Sequence, residues 1–223
     1  TGVAELLDAD DTVEIALKLH PRTREIVVVH DYSSTGMATR REAEEQLRRF
    51  TGVVAFRYLE NMSTAELAER LRALPADTLV LALSYSLDRD GQVMNHEKIA
   101  KLLGTNAPVP VYGLHEERIG YGIVGGSLMG GRRHAARSTE LAVRVLSGEA
   151  ASRIPVDLKS PTQVMFDHAQ MERFGIREAS LPKDTVIVNQ PVSFFVEHPR
   201  VVLITGLLMG VMLAGTGITV VSI

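Results

Sequence analysis

Four short segments carry most of the side chains that could do chemistry. They are DYSSTG (Asp31 to Gly36), LEN (Leu59 to Asn61), SYS (Ser84 to Ser86) and HEERIGYG (His115 to Gly122). The first and third are dense in hydroxyls, which both donate and accept, and so suit a small polar or carboxylated ligand. Taken singly, the same residues are ordinary turn and N-cap formers. Ser84, His115 and Asp31 could be written as a nucleophile, base and acid, but no G-x-S-x-G elbow accompanies them. The seven histidines include no i, i+4 pair, and His115-Glu116-Glu117 lacks the second histidine of a zinc-binding helix, so no metal site is expected. Gly125, Gly126, Gly130 and Gly131 precede a helical pattern without the spacing of a phosphate-binding loop; close backbone packing or a hinge accounts for them better.

The elements that must position these segments alternate. The runs EIVVVH (Glu25 to His30), VVAF (Val53 to Phe56), TLVLAL (Thr78 to Leu83) and VPVY (Val109 to Tyr112) are apolar on successive residues. That pattern belongs to strands covered on both faces, as in a parallel sheet between helices. Their starts lie about 25 to 30 residues apart, the length of a βαβ unit. The intervening stretches carry helix signals. Asp11 and Glu14 open a helix that ends at Pro21, and Ala43, Leu47 and Phe50 form one face before Gly52. Ser63 and Glu66 make a capping box ahead of Leu67, Leu71 and Leu74, with Pro75 as the stop; Asn95 caps a helix through Ile99 and Leu103 to Gly104. After the glycine-rich Gly113 to Gly131 comes a helix to about Ser147, then strand-like pieces over Pro155 to Phe166, a short helix over Ala169 to Phe174 and a strand over Thr185 to Val188. The expected class is α/β, a parallel sheet with helices on both faces, over residues 1–199.

Residues 200–223 are read separately, as a transmembrane helix. Val201 to Ile223 holds no charge, and its length of about 35 Å exceeds the roughly 30 Å hydrocarbon core of a bilayer. Gly206, Gly210 and Ala214 recur at small-xxx-small spacing, which allows two such helices to approach closely and suggests a homodimer. The 24 Lys and Arg against 27 Asp and Glu give a formal charge of -3, and without a basic run nucleic acid is not an expected partner. No cysteine is present, which removes disulfides, thiolate metal sites and thiol nucleophiles. The chain opens on Thr1 and its apolar run continues to Ile223, so a piece of a longer protein is expected.

The stretch PVYGLHEERIGYGIVGGSLMGGRRHAARSTELAVRVLSGEAASRIPV, followed by MFDHAQMERFGI, resembles an ABC-transporter substrate-binding-protein-like sensor domain of type I periplasmic-binding fold. This is the version found ahead of a membrane helix in bacterial sensor histidine kinases. TGVAE, LHPRTREIVVVHD, STG and SYSLDRDG match the second lobe of that family, and the GIVGG and FGI blocks are its most specific parts. The resemblance implies a non-catalytic, cofactor-free receptor for a small solute, two-lobed, with a first lobe of about 100 residues expected ahead of Thr1. It implies a sensor outside the bacterial inner membrane that signals through the 200–223 helix. The cleft-facing positions of the family fall here on Asp31, Ser34, Thr35, Gly36, Ser84, Tyr85 and Glu116. A membrane-anchored α/β enzyme and the substrate-binding component of an ABC transporter are the alternative expectations.

Overall fold

Every residue of EIVVV is apolar after the first because both of its faces are buried. In the computed structural model of the chain, Ile26 and Val28 enter one hydrophobic cluster and Val27 and Val29 the other, on opposite sides of a sheet. The structure describes residues 1–158, 161–191, 198, 200–201 and 203–209. Thr1–Asn189 form one compact unit, and Gln190–Ile223 are separate from it. Among the described residues no helix is long and apolar enough to cross a membrane. Most of the span expected over 200–223, including Gly210 and Ala214, lies outside them.

The first unit begins with β1 (Gly2–Val3), α1 (Ala9–Leu19), β2 (Glu25–Val29), α2 (Ser34–Leu47) and β3 (Ala55–Leu59). It continues through α3 (Thr64–Arg72), β4 (Thr78–Ala82), α4 (His96–Asn106), β5 (Val111–Gly113), β6 (Gly125–Met129) and α5 (Gly131–Leu146). It closes with β7 (Val156–Asp157), β8 (Thr162–Asp167), α6 (His168–Phe174) and β9 (Val186–Val188). Seven strands form one sheet in the order β3-β2-β4-β5-β6-β8-β9, parallel except where β8 runs antiparallel to β6. α1, α2 and α6 pack on one face, and α3 and α4 on the other. β1 and β7 pair in parallel as a separate two-stranded sheet.

The expected α/β class is the observed one, with local differences. The second strand runs over Ala55–Leu59 rather than Val53 to Phe56, because β3 is an edge strand with one solvated side and alternates where a central strand would not. Its outward Arg57 pairs with Glu25 of β2, Nη2 to Oε2 at 2.7 Å. Within the glycine passage, Gly125–Met129 form β6, buried throughout, and its first two glycines show the expected close backbone packing. Gly125 and Gly126 have φ of +155° and +150°, and a Cβ on Gly126 would stand 2.4 Å from the Gly113 carbonyl oxygen. Glycine there lets β5, β6 and β8 sit closely.

The helix faces give a direct test of packing. Leu103 is fully buried against the sheet while its neighbour Leu102 is half-buried. Leu103→Ala should cost about 2–5 kcal/mol of unfolding free energy, and Leu102→Ala clearly less. Urea unfolding of the two variants reads the difference; equal losses would contradict the assignment of that helix face.

Candidate functional site

In an open parallel sheet the strand order reverses where successive crossovers leave in opposite directions, and the loops there diverge to form a crevice. Here β2 lies between β3 and β4, so the crevice opens at the C-terminal ends of β2 and β4. A cavity of about 210 Å3 occupies it. The loop after β2 contributes Asp31, Tyr32 and Ser33, the loop after β3 Asn61 and Met62, and the loop after β4 Tyr85, Leu87, Asp88 and Arg89.

Two buried aspartates build this mouth. Asp31, 1% exposed, accepts from the Ser33 amide and hydroxyl on one oxygen and from the Ser86 and Leu87 amides on the other. It therefore ties the loop after β4 to the turn that opens α2. Ser33 caps that helix by accepting from the Gly36 amide at 3.0 Å. A Cβ at Gly36 would fall 2.0 Å from the Asp31 carboxylate, so a side chain there is incompatible with this arrangement. Asp88 accepts from the amides of Thr64, Asp90 and Gln92, which joins the same loop to the start of α3. Burial raises the Asp88 pKa, but these amides outweigh it and hold the carboxyl below its ordinary value.

Behind the mouth lies an inward-turned cationic group. Arg118, in the short 3-10 turn Glu116–Arg118 after β5, is fully buried and donates to the carbonyls of Ala82 at 3.1 Å and Leu83 at 2.6 Å. Burial lowers its pKa to about 10, with Glu117 and Asp31 opposing. Its Nε donates to His96 Nδ1 at 3.3 Å, and the His96 ring stands 5.1 Å from that of His115. Burial first, then Arg118, push the pKa of both histidines down, that of His115 to about 3. The Nδ1 of His115 has no hydrogen-bond partner among the described residues. Tyr85 donates to the Met62 carbonyl at 3.3 Å, and burial together with Asp88 and Asp31 pushes its pKa up to about 12.

The seven residues expected at a cleft are thus distributed as follows. Asp31 and Tyr85 line the cavity. Ser34 and Thr35 are exposed on the first turn of α2, and Gly36 is buried beside Asp31. Ser84 is buried at the end of β4, where its carbonyl accepts from the Asp31 amide at 3.1 Å. Glu116 lies beyond β5, two strands along from Asp31, and pairs with Arg133 at 2.7 Å. Sequence reasoning missed Met62, Leu87, Asp88 and Arg89; the Asp-x-x-Gly spacing of Asp88 and Gly91 is a turn signal that could have drawn attention to this segment.

Because both carboxylates are spent on backbone amides, the groups left to meet a solute are the 61% exposed Tyr32 ring, Asn61, Met62, Leu87 and the Arg89 guanidinium. Arg89 is shared with Glu66 at 2.9 Å. Such a set suits a small molecule with an apolar body and a polar or carboxylate end. The imagined Ser84, His115 and Asp31 arrangement does not form, since none of the four donors to Asp31 is a histidine.

Two outcomes follow from these contacts. Asp31→Ala strands three loop amides and should lower unfolding free energy by about 3 kcal/mol, read by urea unfolding; a loss near zero would contradict the tie between loops. The histidines are neutral when folded and near 6.5 when unfolded, so the unfolded chain takes up protons first. The His115 contribution should be complete above about pH 6.5 and fall as pH drops toward 3, by up to about 1.4 kcal/mol per pH unit, with His96 acting in the same direction. His115→Gln should flatten that slope in unfolding curves at pH 7.5 and 5; an unchanged slope would contradict it.

No family model matches the chain, and no curated protein does. Solved structures do. A ligand-free, open substrate-binding protein with adhesive properties from Clostridium difficile is 14% identical with a TM-score of 0.64, over 86% of this chain and 63% of its own. A conserved domain protein from Vibrio cholerae is 12% identical with a TM-score of 0.59, over 84% and 62%. An ABC domain in complex with L-Trp from Streptococcus pneumoniae is 16% identical with a TM-score of 0.58, over 81% and 60%. The chain spans less than two thirds of each of these proteins, and what it shares with them is their fold.

Proposed function

We propose that the chain is the solute-binding part of a two-lobed, non-catalytic receptor outside the bacterial inner membrane. The observation that carries this reading is the cavity at the β2/β4 strand-order reversal, walled by three loops that Asp31 and Asp88 hold together. Its open mouth presents an aromatic ring, an amide and a guanidinium rather than a nucleophile with its base. The solute is a small molecule of apolar body with a polar or carboxylate end; one similar structure is in complex with L-Trp. The 16-residue α5 supports a second lobe, because it buries only Leu141 while Val143 and Leu146 are 55% and 86% exposed. A lobe closing over the cavity would shift an open–closed equilibrium by its differential affinity.

The uncharged 201–223 run would anchor this receptor and, paired through its small residues, pass closure to a histidine kinase. The substrate-binding component of an ABC transporter is a second reading that the similar structures favour equally. Thermal-shift screening of the full chain against amino acids, organic acids and nucleosides should find stabilisation that Tyr32→Ala weakens by about tenfold in Kd. Absence of any stabilising solute, or an affinity indifferent to Tyr32, would count against the reading. Protease access on intact cells tests its placement: an outward unit is cleaved, and a protected one contradicts an external receptor.

A further inference from the structure

The two-stranded sheet is a separate platform. β1 pairs with β7, and α5 is bound to it through Arg137 Nε and Asp157 Oδ2 at 2.8 Å. Three stretches of chain join this platform to the seven-stranded sheet: the residues between β1 and α1, the Gly130 junction between β6 and α5, and the stretch between β7 and β8. The first is pinned on the sheet side. One Asp8 oxygen accepts from Ser127 Oγ of β6 at 3.0 Å and from Thr162 Oγ1 of β8 at 2.6 Å. Glu42 and Gln46 of α2 accept from the amides of Leu7 and Ala9.

The middle junction is held differently. Arg133, in the first turn of α5, donates to Glu116 Oε2 at 2.7 Å, to the Leu128 carbonyl of β6 at 3.1 Å and to the Pro161 carbonyl at 3.3 Å. One guanidinium therefore grips the platform helix, a central strand, the third connection and the loop after β5. That loop is the one whose Arg118 holds the β4 carbonyls behind the cavity. Gly130 makes the grip sterically feasible, since a Cβ there would lie 1.9 Å from Glu116 Oε2. The carboxylate is the end of a flexible side chain, so such a Cβ would displace Glu116 and leave the strand in place.

We propose that Glu116 and Arg133 form a latch that sets the angle of the platform against the seven-stranded sheet and couples it to the loops around the cavity. Glu116 is then a positioning residue rather than a ligand contact. The purpose of the latch rests on the receptor reading, but its existence does not, and the test uses no solute.

The chain has no cysteine, so nitroxide labels can be placed cleanly on the exposed Arg41→Cys of α2 and Ser138→Cys of α5 in the full chain. Their separation is measured by double electron–electron resonance. The doubly labelled parent should give one narrow distance population. Glu116→Ala and Gly130→Ala should each add a second population displaced by several ångströms, and α5 amides near Arg133 should exchange roughly tenfold faster. Circular dichroism melts establish that each variant is folded, and either variant alone suffices. A broad distribution in the parent, or folded variants whose distances and exchange match it, would overturn the latch while leaving solute binding to be judged separately.

Discussion

A buried carboxylate with nothing to accept from would cost several kcal/mol, so Asp31 constrains everything around it. At 1% exposure it needs the amides of Ser33, Ser86 and Leu87, and the Ser33 hydroxyl, at once. Meeting that need fixes the turn into α2, demands glycine at 36, and draws the loop after β4 across the crevice. The cavity is what remains between these loops and the Asn61–Met62 corner. Its shape is thus a consequence of satisfying one side chain, which also places the neighbouring Tyr32 outward.

The same economy governs the other charged groups near the mouth. Asp88 is consumed by three amides and Arg118 by two strand carbonyls. Charges turned inward make a frame that keeps its geometry, and leave an aromatic ring, a thioether, an amide and the Arg89 guanidinium facing the cavity. The neutral His96 and His115 lie against Arg118, behind the loops that line the cavity. Arg118 donates to His96 Nδ1, which requires that nitrogen to be unprotonated. Protonation of this histidine pair is therefore coupled to stability, while the mouth itself carries no free carboxylate from these two aspartates.

Much of the fold was legible because its signals are local. The double-faced apolar runs of β2 and β4, the Ser63–Glu66 capping box and the Asn95 cap are all present as expected. What was not legible depends on partners distant in sequence. β3 was displaced because edge strands alternate, and β6 was not read as a strand because its glycines serve contacts with Gly113 and Met165. The strand-like character of β8 was expected, but its antiparallel direction and the two-residue pairing of β1 with β7 carry no pattern of their own. At the candidate site, the hydroxyl-rich loops lie at the C-terminal ends of β2 and β4, beside the cavity. They could not reveal that Asp31 faces amides, that Glu116 faces Arg133, or that Asp88 and Arg89 complete the wall.

The central claim is that a small solute enters between the loops following β2, β3 and β4. Amide chemical shifts of the isotopically labelled full chain, recorded while a stabilising solute is titrated, test it most directly. The account predicts saturable shifts concentrated at residues 32–36, 61–62 and 85–89, with the N-terminal edge of the sheet around His20 and Thr78 unmoved. Shifts centred at that opposite edge, or spread along the exposed face of α5 with the crevice silent, would contradict it.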